Sequence, residues 1–169
     1  MLALPLIFAV FLWWFSTVTI MAVYGRSPLL MRLAFAGSTL GALVALVVLI
    51  ALRDSTDMLA VYASVTCGVV IWGWLVSGYY LGFVTGPRPL PEKIVWHHSL
   101  AVRFRVALSS LIYHELLALA CAIVLAVATW NYPNRWGLWI YLAMWIMHSS
   151  AKLNVFLGVR NFRLDLLPN

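Results

Sequence analysis

The chain has 169 residues, of which 64% are hydrophobic and only 9% charged. A soluble domain is about 45–50% apolar and about 25% charged, and a soluble chain this short cannot bury so much apolar surface in one core. Disordered, coiled-coil, collagen-like and disulfide-scaffold classes are excluded too, because each needs polar, periodic or cysteine-rich composition. What remains is an all-α polytopic transmembrane helical bundle.

A transmembrane helix needs about 20 mostly apolar residues, and five stretches qualify within a single domain, 1–169: 2–24, 29–52, 58–84, 104–129 and 136–159. The first two are separated by Gly25-Arg26-Ser27-Pro28, short enough to force an antiparallel hairpin. Arg53-Asp54-Ser55-Thr56-Asp57 separates the second and third, and its Asp54 and Asp57 are placed to cap the third helix. The sizeable loop 85–103 starts with the proline-rich Thr85-Gly86-Pro87-Arg88-Pro89. From Glu92 to Arg105 it mixes Trp96, Val95 and Leu100 with His97, His98 and basic residues, as a short interfacial helix would. Asn131-Tyr132-Pro133-Asn134-Arg135 breaks the fourth span from the fifth.

The net charge of +6 is spread between apolar runs rather than gathered on one face, so nucleic acid is not the expected partner and the lipid bilayer is. Basic residues instead report orientation. Arg26, Arg32, Arg88, Lys93, Arg103, Arg105, Arg160 and Arg163 fall on one side, against Arg53 and Arg135 on the other. The N-terminus is therefore expected outside and the C-terminus in the cytoplasm. The first apolar run has no basic n-region and is long enough to span, so a cleavable signal peptide is not expected. Cys67 and Cys121 lie in apolar stretches without a CxxC pairing and read as small buried hydrophobes.

Small residues every four positions mark helix-packing faces: Gly78, Gly82 and Gly86; Ala118, Ala122 and Ala126; Gly37 and Gly41. Among nine tryptophans, Trp130, Trp136 and Trp139 suit membrane interfaces. Trp13, Trp14, Trp72, Trp74 and Trp145 fall deeper, where they either fill space or offer flat faces to a pigment or quinone ring.

Ionisable side chains within a span are costly and are therefore functional candidates. There are four: His114 and Glu115 in the fourth span, His148 and Lys152 in the fifth. At about 1.5 Å per residue, Glu115 lies about 16 Å and Lys152 about 10 Å from the cytoplasmic side, within reach of long side chains. A Glu115–Lys152 pair is expected, with both histidines close by and Asn154 adding an interhelical hydrogen bond. Four readings of this intramembrane polar cluster are open: a register-fixing hydrogen-bond cluster, a histidine ligand to a chlorin or haem, a metal or redox site, and a proton relay. A zincin is excluded, because position 118 is Ala where HExxH needs its second histidine. No nucleotide-binding fingerprint, P-loop or catalytic triad spacing is present, so an enzyme is not expected.

Several stretches also carry a family resemblance. They are Leu12-Trp13-Trp14-Phe15-Ser16-Thr17, Ile71-Trp72-Gly73-Trp74, Thr85-Gly86-Pro87-Arg88, Tyr113-His114-Glu115-Leu116, and Asn134 followed by Gly137-Leu138-Trp139. The longest is Ser150-Ala151-Lys152-Leu153-Asn154-Val155-Phe156-Leu157-Gly158-Val159, followed by Leu167-Pro168. In this order the chain resembles the photosynthetic complex assembly protein 2 (PuhE) family of purple phototrophic bacteria. The resemblance implies a multi-pass protein of the bacterial inner (intracytoplasmic) membrane with no enzymatic reaction. It also implies a role in building or maintaining the photosynthetic reaction centre and core light-harvesting antenna, whose membrane subunits would be its partners.

Three departures stand out. Members carry an acidic residue after Trp-Gly-Trp, where this chain has Leu75-Val76, and an Arg where it has His148. An arginine cannot ligate a chlorin and a histidine can. Members also continue past the Leu-Pro, whereas this sequence stops at Asn169, as a fragment, a resolved portion or a shortened member would. The expectation is a non-enzymatic assembly factor acting by helix packing. Two alternatives are a structural subunit in contact with bacteriochlorophyll, carotenoid or quinone through Trp13, Trp14, Trp72, Trp74 and His148, and a small transporter or redox protein using His114, Glu115 and His148.

Overall fold

The computed structural model describes the backbone over residues 3–84 and 100–156, and side chains over 4–84 and 112–151. Among the described residues five helices follow one another: α1 Ala3–Val23, α2 Pro28–Ala51, α3 Met58–Tyr80, α4 Leu100–Thr129 and α5 Trp136–Phe156. The all-α class is as the sequence predicts, and there is no strand among the described residues. Among the described residues four stretches are long and apolar enough to cross a membrane: Leu4–Val23, Pro28–Ala51, Met58–Tyr80 and Ile112–Thr129. The described side chains of α5 end at Ala151.

Local chemistry sets the helix ends. Pro28 occupies the first turn of α2, where its missing N–H costs nothing, and Ser27 Oγ caps the Leu30 N–H. Asp57 caps α3: its Oδ1 accepts from the Ala60 N–H at 2.7 Å and its Oδ2 from the Ser55 hydroxyl at 2.7 Å. The partner suggested for this role, Asp54, instead lies exposed, 3.9 Å from Arg53 Nε. The α1–α2 hairpin turns on Gly25 at φ +72°. Gly82, expected on a packing face within a span reaching residue 84, closes α3 instead. Its φ is +73° and nothing lies within 4 Å of where a β-carbon would stand. The Phe83 N–H bonds the Gly78 carbonyl at 3.1 Å and the Gly82 N–H bonds Tyr79 at 3.3 Å, a Schellman ending that requires the left-handed glycine. At its other border the long loop is shorter than expected, because α4 already includes residues 100–103. The rest of the expected interfacial segment, with Gly86, His97 and His98, lies outside the described residues.

The centre of the bundle is α3, flanked by α2 and α5, while α4 lies mainly against α5 with narrower contacts to α2 and α3. Its core is built from stripes: Ala42, Ala45 and Leu49 of α2; Cys67, Ile71, Trp72 and Leu75 of α3; Ala118, Ala122 and Leu125 of α4; Leu138 and Tyr141 of α5. The alanine face of α4 thus turns into the bundle. Helix α1 has no fully buried described residue and leans on α3 through the stripe Phe8, Leu12, Ser16 and Ile20, where Phe8 meets Tyr62 edge-on at 4.7 Å.

The tightest contact joins α3 and α5. A β-carbon on Gly68 would collide with the Gly137 carbonyl oxygen and Ile140 Cγ2. One on Gly137 would collide with Leu49 Cδ2 and stand 2.9 Å from the Ser64 carbonyl oxygen. Beside this contact, buried Asn134 ties the α4–α5 turn to α3 and the α2–α3 turn. Its Nδ2 donates to Ser64 Oγ at 2.9 Å, the Leu52 carbonyl at 3.1 Å and the Ala60 carbonyl at 3.4 Å. Its backbone N–H donates to the Arg53 carbonyl at 3.0 Å. The Arg53 guanidinium lies 3.9 Å over the Tyr132 ring, clasping the same two turns.

Overpacking a filled site costs about 1–3 kcal/mol. Gly68→Ala and Gly137→Ala are therefore expected to lower stability in detergent unfolding titrations by that amount. Gly37→Ala, with nothing within 4 Å of its β-carbon position, should not. Asn134→Ala removes three side-chain hydrogen bonds at once, among them the donor to the buried Ser64 hydroxyl, and should cost about 1–3 kcal/mol.

Asp57 gives a pH test. The Ala60 N–H and then the Ser55 hydroxyl hold its carboxyl below the ordinary 3.8. A carboxylate with a depressed folded pKa stabilises the fold fully above its unfolded pKa and loses that contribution as pH falls through the folded value. The stability advantage over Asp57→Asn should be constant near neutrality and fade only below about pH 4. An advantage that grows on acidification would contradict the cap.

Candidate functional site

The ionisable and aromatic side chains of α3, α4 and α5 meet in one cluster. On α5, Tyr141, Trp145 and His148 follow at spacings of four and three and so share one face. On α4, His114 and Ala118 do the same. His114 is 1% exposed. Its ring meets Tyr79 at 5.1 Å and Trp72 at 6.3 Å, both edge-on, and lies tilted at 5.6 Å from His148. His148 meets Trp72 edge-on at 5.4 Å. Trp72 is therefore the hub, and its third edge contact is Tyr141 at 5.5 Å.

Hydrogen bonds also tie the helices together. The Tyr141 hydroxyl donates to the Ala118 carbonyl at 2.9 Å. A backbone carbonyl already accepting inside a helix retains a second lone pair, so this bond costs the helix nothing. The Trp145 indole N–H donates to Glu115 Oε2 at 2.8 Å. In a bilayer interior an acidic side chain needs such a donor, since no water is present to supply one.

The structure thus brings together His114, Glu115 and His148. The backbone of Lys152 and Asn154 continues α5, but their side chains, and with them the expected Glu115–Lys152 pair, lie outside the described residues. Among the described residues no three His, Cys, Asp or Glu side chains are placed to hold a metal ion. Cys67 is buried and Cys121 half-buried, both as free thiols.

The expected ring-contact residues separate. Trp13, Trp72 and His148 line one groove between α1, α3 and α5. Trp74 points to the other side of α3, where its N–H donates to Thr39 Oγ1 at 2.9 Å and Phe35 lies stacked at 6.4 Å. Trp14 is 53% exposed on the outer face of α1. Of the small residues, Gly78 receives Phe35, whose Cε2 would stand 3.3 Å from a β-carbon there. Sequence reasoning did not single out Tyr79, Tyr141 or Gly68. It met Asn134 and Gly137 only as parts of a motif. A polar residue in the turn before a span, and a glycine three positions later inside it, were the available signal.

Residues 1–169 match a family described as "Protein of unknown function (DUF3623)". The chain belongs to that family. A protein of Rhodobacter capsulatus named "Uncharacterized 30.4 kDa protein in puhA 5'region" is 32% identical over 163 residues. The match covers 94% of this chain and 59% of that relative, so the chain spans about three-fifths of the relative's length. No solved structure matches.

In this DUF3623 chain the Trp145–Glu115 bond is a direct side-chain link between α4 and α5. Hydrogen bonds between helices in a membrane average about 0.6 kcal/mol and reach about 1.7 kcal/mol. Trp145→Phe is expected to cost that amount in detergent unfolding titrations. Glu115→Gln keeps an acceptor and should cost less. The reverse order would mean that the carboxylate, not the indole donor, organises the pair.

Proposed function

We propose that this chain is a non-enzymatic accessory protein of the photosynthetic apparatus. It acts by lateral helix packing in the bacterial inner membrane during assembly of the reaction centre and its core light-harvesting antenna. The observation that carries this reading is the R. capsulatus relative, whose name sets it in the puhA 5' region. The order of motifs shared with the photosynthetic complex assembly protein 2 family supports it.

The geometry is compatible with such a role. Four stretches able to cross a membrane give a multi-pass protein. Helix α1 leans on the bundle along one stripe and turns Phe11, Trp14 and Phe15 outward. Lipid tails cover such a face, and so does a partner helix, because association between helices in a bilayer depends on close packing rather than on hydrophobicity. In this proposal the N-terminus lies outside, the basic segments lie in the cytoplasm, and Glu115 with Lys152 holds α4 and α5 in register. Buried His114 and half-buried His148 then serve as packed polar groups of the cluster rather than as catalytic ones.

Purification through a tag on the chain, in gentle detergent, tests the proposal when combined with an absorption spectrum and mass spectrometry. Reaction-centre or antenna subunits recovered below one per chain are the expected result. Stoichiometric subunits with bacteriochlorophyll absorption would make it a permanent subunit instead. A colourless protein with no photosynthetic partner would overturn the proposal. The same purification from a Glu115→Ala, Lys152→Ala double variant should lose those subunits, and undiminished recovery would refute the register role.

A further inference from the structure

Between α1, α3 and α5 lies a groove of about 280 Å³, open on one side, with Trp13, Trp72, Gly73, Tyr80, Met144 and His148 among its lining residues. Along α3 it runs from Val69 to Tyr80, about 16 Å at 1.5 Å per residue.

Gly73 lies at the middle of this groove. An interior glycine weakens a helix relative to alanine, and the other glycines of α3 have a reason to be there: Gly68 admits α5 and Gly78 admits Phe35. Gly73 has no such neighbour, because a β-carbon there would meet nothing within 4 Å. What its missing side chain does is keep the floor of the groove open beside Trp72.

Size and chemistry then narrow the occupant. An apolar cavity of about 150 Å³ holds benzene. The groove therefore has room for one substituted ring and the start of a tail. Among the described residues no Asp, Glu, Lys or Arg lines it, which favours a neutral ligand. Trp13 and Trp72 offer flat walls. The Ser16 and Thr17 hydroxyls both donate to the Trp13 carbonyl at 2.9 Å, and Tyr80 adds a phenol hydroxyl to the lining that can donate to a ligand carbonyl. The open side lets a hydrocarbon tail pass into the bilayer.

We propose that the groove between α1, α3 and α5 binds a prenylated quinone or quinol, its single ring lying over Gly73 between the Trp13 and Trp72 walls. The inference is independent of the assembly role, which the tagged purification tests by itself.

The test uses the full chain in lipid nanodiscs, with decylubiquinone as probe and tryptophan fluorescence quenching as readout. Saturable quenching is expected. Gly73→Leu fills the floor and should weaken binding by about tenfold or more, corresponding to about 1.4 kcal/mol. Gly37→Leu, equally uncrowded but on α2 and away from the groove, should leave binding unchanged. Trp13→Leu, on a helix with no fully buried described residue, should also weaken it and serves where Gly73→Leu fails to fold. The proposal is overturned by non-saturable quenching, by equal losses in the Gly73 and Gly37 variants, or by unchanged affinity in Trp13→Leu. It fails equally if decane displaces the quinone as well as unlabelled quinone does, since a tail alone would then account for binding, or if a bacteriochlorin competes for the same site.

Discussion

The backbone approach of α3 and α5 at Gly68 and Gly137 is the constraint on which the rest of the bundle depends. In a bilayer, apolar side chains gain little by leaving lipid for one another, so helices associate where surfaces fit closely and where hydrogen bonds cross. Both occur here within one stretch of α3. The two glycines remove the side chains that would hold the backbones apart. Asn134, directly before α5, spends its amide on Ser64, Leu52 and Ala60. With α5 fixed against α3 in this way, Tyr141, Trp145 and His148 project in order towards α4, and the Trp72 hub follows from that register.

Much of this architecture was legible in the sequence, for a physical reason. A run of about 20 apolar residues in hydrocarbon has one way to satisfy its backbone, which is the helix. The helix ends at Pro28 and Asp57 were legible because capping is local chemistry. The direction in which each residue faces was less so. In a soluble protein the apolar face is the buried face, but in lipid both faces are apolar. Tryptophans that all read as deep therefore divide into Trp72, enclosed by three rings, and Trp14, facing outward. Depth in the membrane is written in hydropathy; enclosure in the bundle is not.

The small residues show the same limit. A repeat every four residues signals a close face only if the helix continues through it, and Gly82 ends α3 with a left-handed turn. The contact that matters joins two single glycines on different helices, a pairing with no periodic trace along the chain. The polar cluster was more accessible. Ionisable residues are so costly in a span that their presence alone marks His114, Glu115 and His148; the structure sets the two histidine rings 5.6 Å apart and bonds Glu115 to Trp145.

The two halves of α3 are built for different ends. Its first half is gripped by Asn134 and the Gly68–Gly137 contact, and the adjoining turns are clasped by Arg53 on Tyr132. Its second half carries Trp72, Gly73, Tyr79 and Tyr80. There α4 and α5 supply the polar cluster on one side, and α1 leans on the other beside the groove. Because α3 lies between α2 and α5, it offers little of itself to another membrane protein. The outward aromatic face of α1 is not so enclosed. That face of α1, like the outer faces of α2, α4 and α5, is open to lipid or to another helix. An occupant of the groove would touch α1 and α5 together, and so link what is bound inside to how that outer helix stands against the bundle.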